Sequence, residues 1–287
     1  FGHQIKVIYP TEFPFYFEWM PGAKDAWIYG DSKEEADEWI KSSDLICCLD
    51  FNTLSRIAPM DEIVKEAEKP ILLLDHHLQP DTFEWMLHDI KACSTCELVH
   101  RFIYLYDTNP NITKECAECI YTGILTDTGG FSNGATNKVA FIAVADLIDK
   151  GLNIQYVQEN LNQNKTESRL RFLGNALLNE MTINHELGLA FVVVNRKDAR
   201  KYNLQTGDTE GLVNYPLSIK GIHISVLIKE EKNITKLSFR SKGELNVNEL
   251  AREHFEGGGH KNAAGGKSIY PPKWLINKIT ELIKKQN

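Results

Sequence analysis

The chain has 287 residues, 43% hydrophobic, 25% charged and 10% aromatic, with a formal net charge of −7. That composition buries a sizeable core, suits two domains of roughly 100–200 residues, and excludes disordered, collagenous and coiled-coil chains. No apolar run reaches the ~18 residues of a membrane-spanning helix and no signal-peptide pattern is present, so the expectation is a cytoplasmic protein with no membrane partner. Phe1-Gly2-His3-Gln4 leads straight into the strand-like Ile5–Tyr9 without an initiator Met, which reads as a chain whose own N-terminus lies further upstream.

The first half alternates short apolar runs with helical patterns. Ile5–Tyr9, Trp27–Tyr29, Leu45–Leu49 and Ile71–Leu74 read as buried strands, separated by helices over Ser32–Lys41 and Met60–Glu68. Such alternation predicts a parallel α/β sheet. Ser32 followed three residues later by Glu35 fits a capping box. From Cys93 to Met181 the pattern is almost entirely helical: Ser94–Tyr106, Thr113–Leu125, Asn137–Lys150, Ile154–Asn162 and Glu167–Met181. Strands then return at Leu189–Val194, His223–Lys229 and Thr235–Arg240, followed by a helix at Val247–His254, a Gly-rich turn and a last helix at Lys273–Lys285. The division follows as a first domain over residues 1–164, a linker helix over 165–184 and a smaller mixed α/β domain over 185–287.

Charge is distributed unevenly. Residues 1–184 carry 15 Lys+Arg against 28 Asp+Glu, net −13, and residues 185–287 carry 17 against 11, net +6. A solvated acidic surface explains the first half as readily as carboxylates that hold metal ions while the basic half receives an anion.

Two apolar strands end in groups that carry chemistry. Leu45–Leu49 stops at Asp50, and Ile71–Leu74 stops at Asp75-His76-His77. Ligands of open α/β sheets bind at the carboxyl ends of strands, so these four residues are expected to share a crevice. Thr126-Asp127-Thr128-Gly129-Gly130-Phe131 closes a helix with paired glycines, and Asp127 is within reach of the same crevice. Carboxylates with an imidazole and little thiolate suit Mn²⁺ or Mg²⁺ better than structural zinc. Two such ions ~3.5–4 Å apart activate water for phosphoester hydrolysis. In the second half, Gly257-Gly258-Gly259-His260 reads as a backbone cradle for a phosphate with a helix starting at His260, and Arg240 as an additional phosphate contact.

Cys93-x₂-Cys96 and Cys116-x₂-Cys119, with 19 residues between the pairs, have the spacing of a zinc ribbon. Both pairs continue helical apolar patterns without Gly or Pro turns, so the thiols read as small core hydrophobes. Six cysteines in a chain without a secretory signal suit a reducing compartment.

Together, Leu49-Asp50-Phe51-Asn52, Asp75-His76-His77, Thr126–Phe131 and Gly257–His260 resemble the DHH phosphoesterase family with a DHHA1 C-terminal domain. Order and spacing are similar to the branch of bifunctional oligoribonucleases/pAp phosphatases (nanoRNases), across essentially the whole chain. The resemblance implies a parallel-sheet DHH domain, a helical linker and a smaller mixed α/β DHHA1 domain, with the active site between the two domains. It implies Asp50, His76 and Asp127 as ligands of two Mn²⁺ ions, Mg²⁺ being the alternative. Asp75 and His77 would act on the scissile phosphate, with Arg240 and Gly257, Gly258, Gly259 and His260 on another phosphate of the substrate. Family members also carry an earlier His-x-Asn-Pro-Asp-Gly-Asp-Ala segment, and this chain begins after the point where it would occur.

The activity expected is Mn²⁺-dependent removal of the 3′-phosphate from pAp, degradation of short oligoribonucleotides to 5′-mononucleotides, or both. The partners are thus a short RNA or nucleotide, not a long duplex, with a homodimer allowed. Linear or cyclic dinucleotide hydrolysis, polyphosphate-type hydrolysis and a catalytically degenerate nucleotide-binding protein are the alternatives.

Overall fold

The computed structural model describes residues 2–132 and 136–286, and the chain divides into two units, Phe1–Asn164 and Lys165–Asn287. The strands of the first unit are all parallel. β1 (Ile8–Tyr9) pairs with β2 (Trp27–Ile28), while β3 (Ile46–Leu49), β4 (Ile71–Asp75) and β5 (Trp85–His88) form a second sheet in the order β3-β4-β5. Helices α1 (Lys33–Ser42) and α2 (Asp61–Glu66) join the strands. One core holds this layer together, with Ile40, Ile63 and Val64 packed against Tyr29, Cys48 and Leu73.

Helices α3 (Thr95–Tyr106), α4 (Lys114–Asp127), α5 (Lys138–Asp149) and α6 (Ile154–Asn162) follow. Each starts where a polar residue can satisfy an orphan amide: the side chains of Ser94, Thr113, Asn137 and Asn153 accept from the third residue onward. A second core combines Cys93 with Ile120, Tyr121 and Ile124 of α4 and Ala140, Ala143 and Leu147 of α5. Close approach of α3 and α4 explains Gly123, because a Cβ there would lie 2.2 Å from the Cys96 sulfur.

The second unit opens with α7 (Glu167–Asn179), whose Phe172 and Ala176 pack under Val192, Val194 and Leu227 of the unit's sheet. That sheet runs β10-β11-β9-β8-β7-β6 and is mixed: β7 (Leu189–Val194) and β8 (Ile224–Glu230) are parallel, and the other pairs are antiparallel. β6 is Met181–Asn184, β9 Thr235–Ser241, β10 Gly258–His260 and β11 Ala263–Ser268. A short helix, α8 (Arg196–Lys201), follows β7. Val226, Ile228, Leu237 and Phe239 face α9 (Val247–His254) and α10 (Pro272–Gln286), which contribute Leu250, Leu275, Ile279 and Ile283.

Four expectations need correction. Ile5–Tyr9 was expected as a buried strand, but only Ile8–Tyr9 is a strand, and Ile5, Val7 and Tyr9 are exposed. No helix starts at His260: Gly257–His260 leads into an antiparallel hairpin in which Gly258 pairs with Gly265 and His260 with Ala263. Its glycines answer to packing, since a Cβ on Gly257 would meet the Gly265 carbonyl oxygen at 2.0 Å, and Gly259 has φ +152°. Ser32 precedes α1 without a side-chain cap bond, because its ψ of 41° lies outside the extended backbone a capping serine uses. Cys47 is exposed where a buried strand was expected, and only Cys48 of that pair faces the core.

Candidate metal centre

The carboxyl ends of β3 and β4, the start of α3 and the end of α4 converge within the first unit. Asp50 follows the last residue of β3, and its amide still extends the ladder to the Leu74 carbonyl at 3.1 Å. Its φ of 69° is unusual for a non-glycine residue and turns the chain sharply out of the sheet. Asp75 is the final residue of β4 and is fully buried. Asp127 is the last residue of α4, where Gly129 and Gly130, both at positive φ, stop the helix. The Gly130 amide donates to Leu125 O at 2.8 Å and the Gly129 amide to Thr126 O at 3.1 Å, a Schellman ending that fixes where the acid falls.

His76 is buried, and its Nδ1 lies 3.1 Å from the Ala92 carbonyl oxygen. A carbonyl only accepts, so Nδ1 carries the proton and Nε2 presents a lone pair, the arrangement usual for a metal-binding imidazole. Nε2 is 3.5 Å from Asp127 Oδ2 and 3.7 Å from Asp50 Oδ1. Asp50, His76 and Asp127 each offer a ligand atom within 4.8 Å of the others, and so do Asp50, Asp75 and His77. Asp50 is common to both groups.

Electrostatics fit a cation. Loss of solvent and the nearby charge of Asp50 raise the Asp127 carboxyl to about 6, against a partial opposing effect of His76 and His77. Two carboxylates crowd one small volume, and a divalent ion accepted by hard oxygens and one imidazole relieves that crowding. Asp75 and His77 behave differently. Burial alone would raise the Asp75 pKa, yet its bonds to His77 outweigh that and lower it. Oδ1 lies 2.7 Å from His77 Nδ1, and Oδ2 accepts the His77 amide at 2.9 Å. Desolvation likewise opposes the charged His77 ring, but Asp75 and then Asp50 raise its pKa overall.

Of the residues around these groups, Thr95 and His88 were not singled out from sequence, and Asn52 entered only as part of the Leu49–Asn52 motif. Thr95 Oγ1 donates to Asp50 Oδ1 at 2.7 Å and holds that carboxylate. His88 Nε2 donates to the His77 carbonyl at 2.7 Å, and Asn52 Nδ2 to the Leu78 carbonyl at 2.6 Å, which ties the loop after β3 to the loop after β4. The advance signals among these were the helix expected from Ser94, which includes Thr95, and the Leu49–Asn52 motif, which includes Asn52.

The remaining candidates lie in the second unit. Arg240 is on β9, paired with Ser225 on one side and Ala263 on the other. In the Gly257–His260 segment two amides already have internal partners, Gly257 with Ala251 O at 3.2 Å and Gly259 with Asn248 Oδ1 at 2.8 Å, so a cradle there has fewer donors than the sequence promised. No cysteine belongs to a metal-ligand group among the described residues. Burial pushes the thiols of Cys93 and Cys96 up to about 12 and that of Cys119 to about 11, as expected of neutral core side chains.

A parallel-sheet unit with acids and imidazoles at its strand ends, joined to a mixed-sheet unit, defines a two-domain phosphoesterase fold. The chain belongs to the DHH/DHHA1 phosphoesterase family: the DHH family N-terminal domain matches residues 14–124 and the DHHA1 domain residues 188–286. A crystal structure of an exopolyphosphatase-related protein from Bacteroides fragilis is 37% identical, covers 98% of this chain and 82% of its own, and superposes with a TM-score of 0.91. A Bacillus subtilis protein named bifunctional oligoribonuclease and PAP phosphatase NrnA is 27% identical over 83% of this chain and 74% of its own length. A Streptococcus mutans protein, named as a probable enzyme of the same kind, is 25% identical over 69% of this chain, which spans 62% of that relative. Among the described residues no helix is long and apolar enough to cross a membrane.

Proposed function

We propose that the chain is a divalent-metal-dependent phosphohydrolase of short nucleotides, which removes the 3′-phosphate of pAp and releases 5′-mononucleotides from short oligoribonucleotides. The convergence of Asp50, His76 and Asp127 from three separate elements is the observation that carries this reading. Asp50, shared by the two candidate groups, suits a pair of ions, and Mn²⁺ fits the mixture of carboxylates and imidazole. Ions bound there would supply an activated water and a clamp on the phosphoryl oxygens.

The chain's own residues then have distinct tasks. Asp50 and Asp127 provide the negative charge that holds cations, and His76 is oriented by the Ala92 carbonyl to contribute Nε2. Asp75 fixes His77 through Nδ1 and favours its protonated form, so proton transfer by this ring to a leaving oxygen runs through Nε2. Arg240 and the Gly257–His260 segment of the basic second unit would bind a further phosphate of the substrate. The naming of two relatives as oligoribonuclease and PAP phosphatase supports nucleotide substrates. The Bacteroides fragilis relative, named exopolyphosphatase-related, favours polyphosphate as the second reading.

The test is product analysis with Mn²⁺ and with Mg²⁺ on pAp, short 5′-phosphorylated RNA, cyclic dinucleotides and polyphosphate, with His76→Ala as the control. Turnover of pAp and short RNA, lost in the variant, is the expected result. Full activity in His76→Ala removes that residue from the metal site, and nucleotide binding without turnover of any substrate makes the chain a binding protein.

A further inference from the structure

The second unit contains a polar cavity of about 290 Å³ on the face of its sheet opposite α9 and α10. Strand alternation produces it: Val226, Ile228, Leu237 and Phe239 point into the helix-covered core, so Leu227 and Lys229 of β8 and Lys236, Ser238 and Arg240 of β9 point the other way. A wall is added by the 206–211 loop, which turns through Gly207 and Gly211 at positive φ and brings Thr206 and Thr209 to the rim. Val213 and Leu227 make an apolar floor.

Two features of this face call for an anion. Lys229 and Lys236 are direct cross-strand partners, an arrangement of like charges that weakens a sheet. One carboxylate, Glu231, serves both, at 3.7 and 3.1 Å. Arg240 donates to the carbonyl of Phe239, and among the described residues it forms no ion pair with a carboxylate, although burial disfavours its charge and Glu210 only partly restores it. With Glu210 and Glu231 counted, the lining side chains still carry a surplus of one positive charge.

Size narrows the ligand. At about 30 Å³ per water, the cavity holds about ten waters, near the lower end of small-molecule sites. We propose that this cavity binds one nucleoside monophosphate unit, its phosphate among Arg240, Ser238 and Lys236 and its base against Val213 and Leu227. The assignment rests on the nucleotide reading above and extends it to Lys229, Lys236, Ser238 and the 206–211 loop, none of which stood out from sequence.

The experiment is calorimetric titration of the chain with AMP in EDTA, where no hydrolysis competes, on wild type and on the Lys229→Ala/Lys236→Ala double variant. Both lysines are rim groups, and a thermal melt checks that the variant is folded. Saturable AMP binding weakened roughly tenfold in the double variant is expected, with inorganic phosphate competing and adenosine failing to compete. AMP affinity unchanged in the variant, no saturable AMP binding, or adenosine binding as tightly as AMP overturns the proposal. Metal-dependent hydrolysis abolished by His76→Ala alongside absent AMP binding in EDTA refutes the cavity assignment alone. Variant-sensitive AMP binding without hydrolysis by wild type refutes the phosphohydrolase reading and leaves the cavity intact.

Discussion

Replacing Thr95 by Val tests whether the candidate metal centre is held together from behind. The substitution keeps the branched shape and removes the hydroxyl that donates to Asp50 Oδ1 at 2.7 Å. A hydrogen bond to a charged acceptor is worth about 1.5–3 kcal/mol. The Asp50 side chain is 54% exposed, so water replaces part of that bond, and about half the lower-to-middle value, ~1 kcal/mol, is lost. This corresponds to a roughly fivefold weaker metal affinity, rising towards tenfold if the freed carboxylate also rotates away. Mn²⁺ titration by calorimetry reads the effect directly. Thr95→Ser should bind within about twofold of wild type, because it restores the donor. The melting temperature should stay nearly constant, since the Ser94 cap of α3 is untouched. Wild-type affinity in Thr95→Val would refute the claim that this bond positions Asp50.

Protonation of Asp127 gives a second prediction. A cation must displace its proton, so Mn²⁺ affinity should fall by up to about tenfold per pH unit below the carboxyl's value of about 6. Asp50→Asn removes the charge that helps raise that value and should shift the Asp127 titration downward, and an affinity constant from about pH 5 to 7 contradicts the assignment. The sign for stability runs the other way: the ion-free chain has this group's contribution in full below the ordinary value of 3.8 and loses it as pH rises through about 6. Packing supplies a third prediction. Gly123→Ala gains helix propensity but drives a methyl to 2.2 Å from Cys96 Sγ, so a net loss of ~1–2 kcal/mol and a lower melting temperature are expected. Adding Cys96→Ala should recover the loss, and a Gly123→Ala protein that melts at or above wild type shows the contact to be soft.

Much of the first unit was legible because its chemistry sits where periodicity changes. Leu45–Leu49 and Ile71–Leu74 are apolar without interruption and then stop at acids, and strand ends of that kind form ligand crevices. The positions of α3 to α6 followed from their helical apolar repeats, and the polar caps in front of them became visible only in the structure. β5 was not legible: Trp85 and Met86 are exposed on an edge strand, so Trp85–His88 lacks the buried run that marked its neighbours. Gly257–His260 misled because paired glycines suit a phosphate loop and a tightly packed hairpin equally well, and only the close approach to Gly265 separates the two. Thr95, His88 and the Ala92 carbonyl act through contacts 11 to 45 residues away in sequence, which no local pattern encodes.

The Schellman ending of α4 leaves Asp127 at the electronegative pole of a 14-residue helix. Acidic side chains ordinarily favour the opposite pole, so here backbone dipole and carboxylate reinforce one another, and Asp50 adds to the same negative field. Such a field repels phosphate. An anionic substrate therefore approaches this corner uphill until its negative charge is neutralised, which makes the order of arrival a property of the helix's direction: cation first, phosphate second.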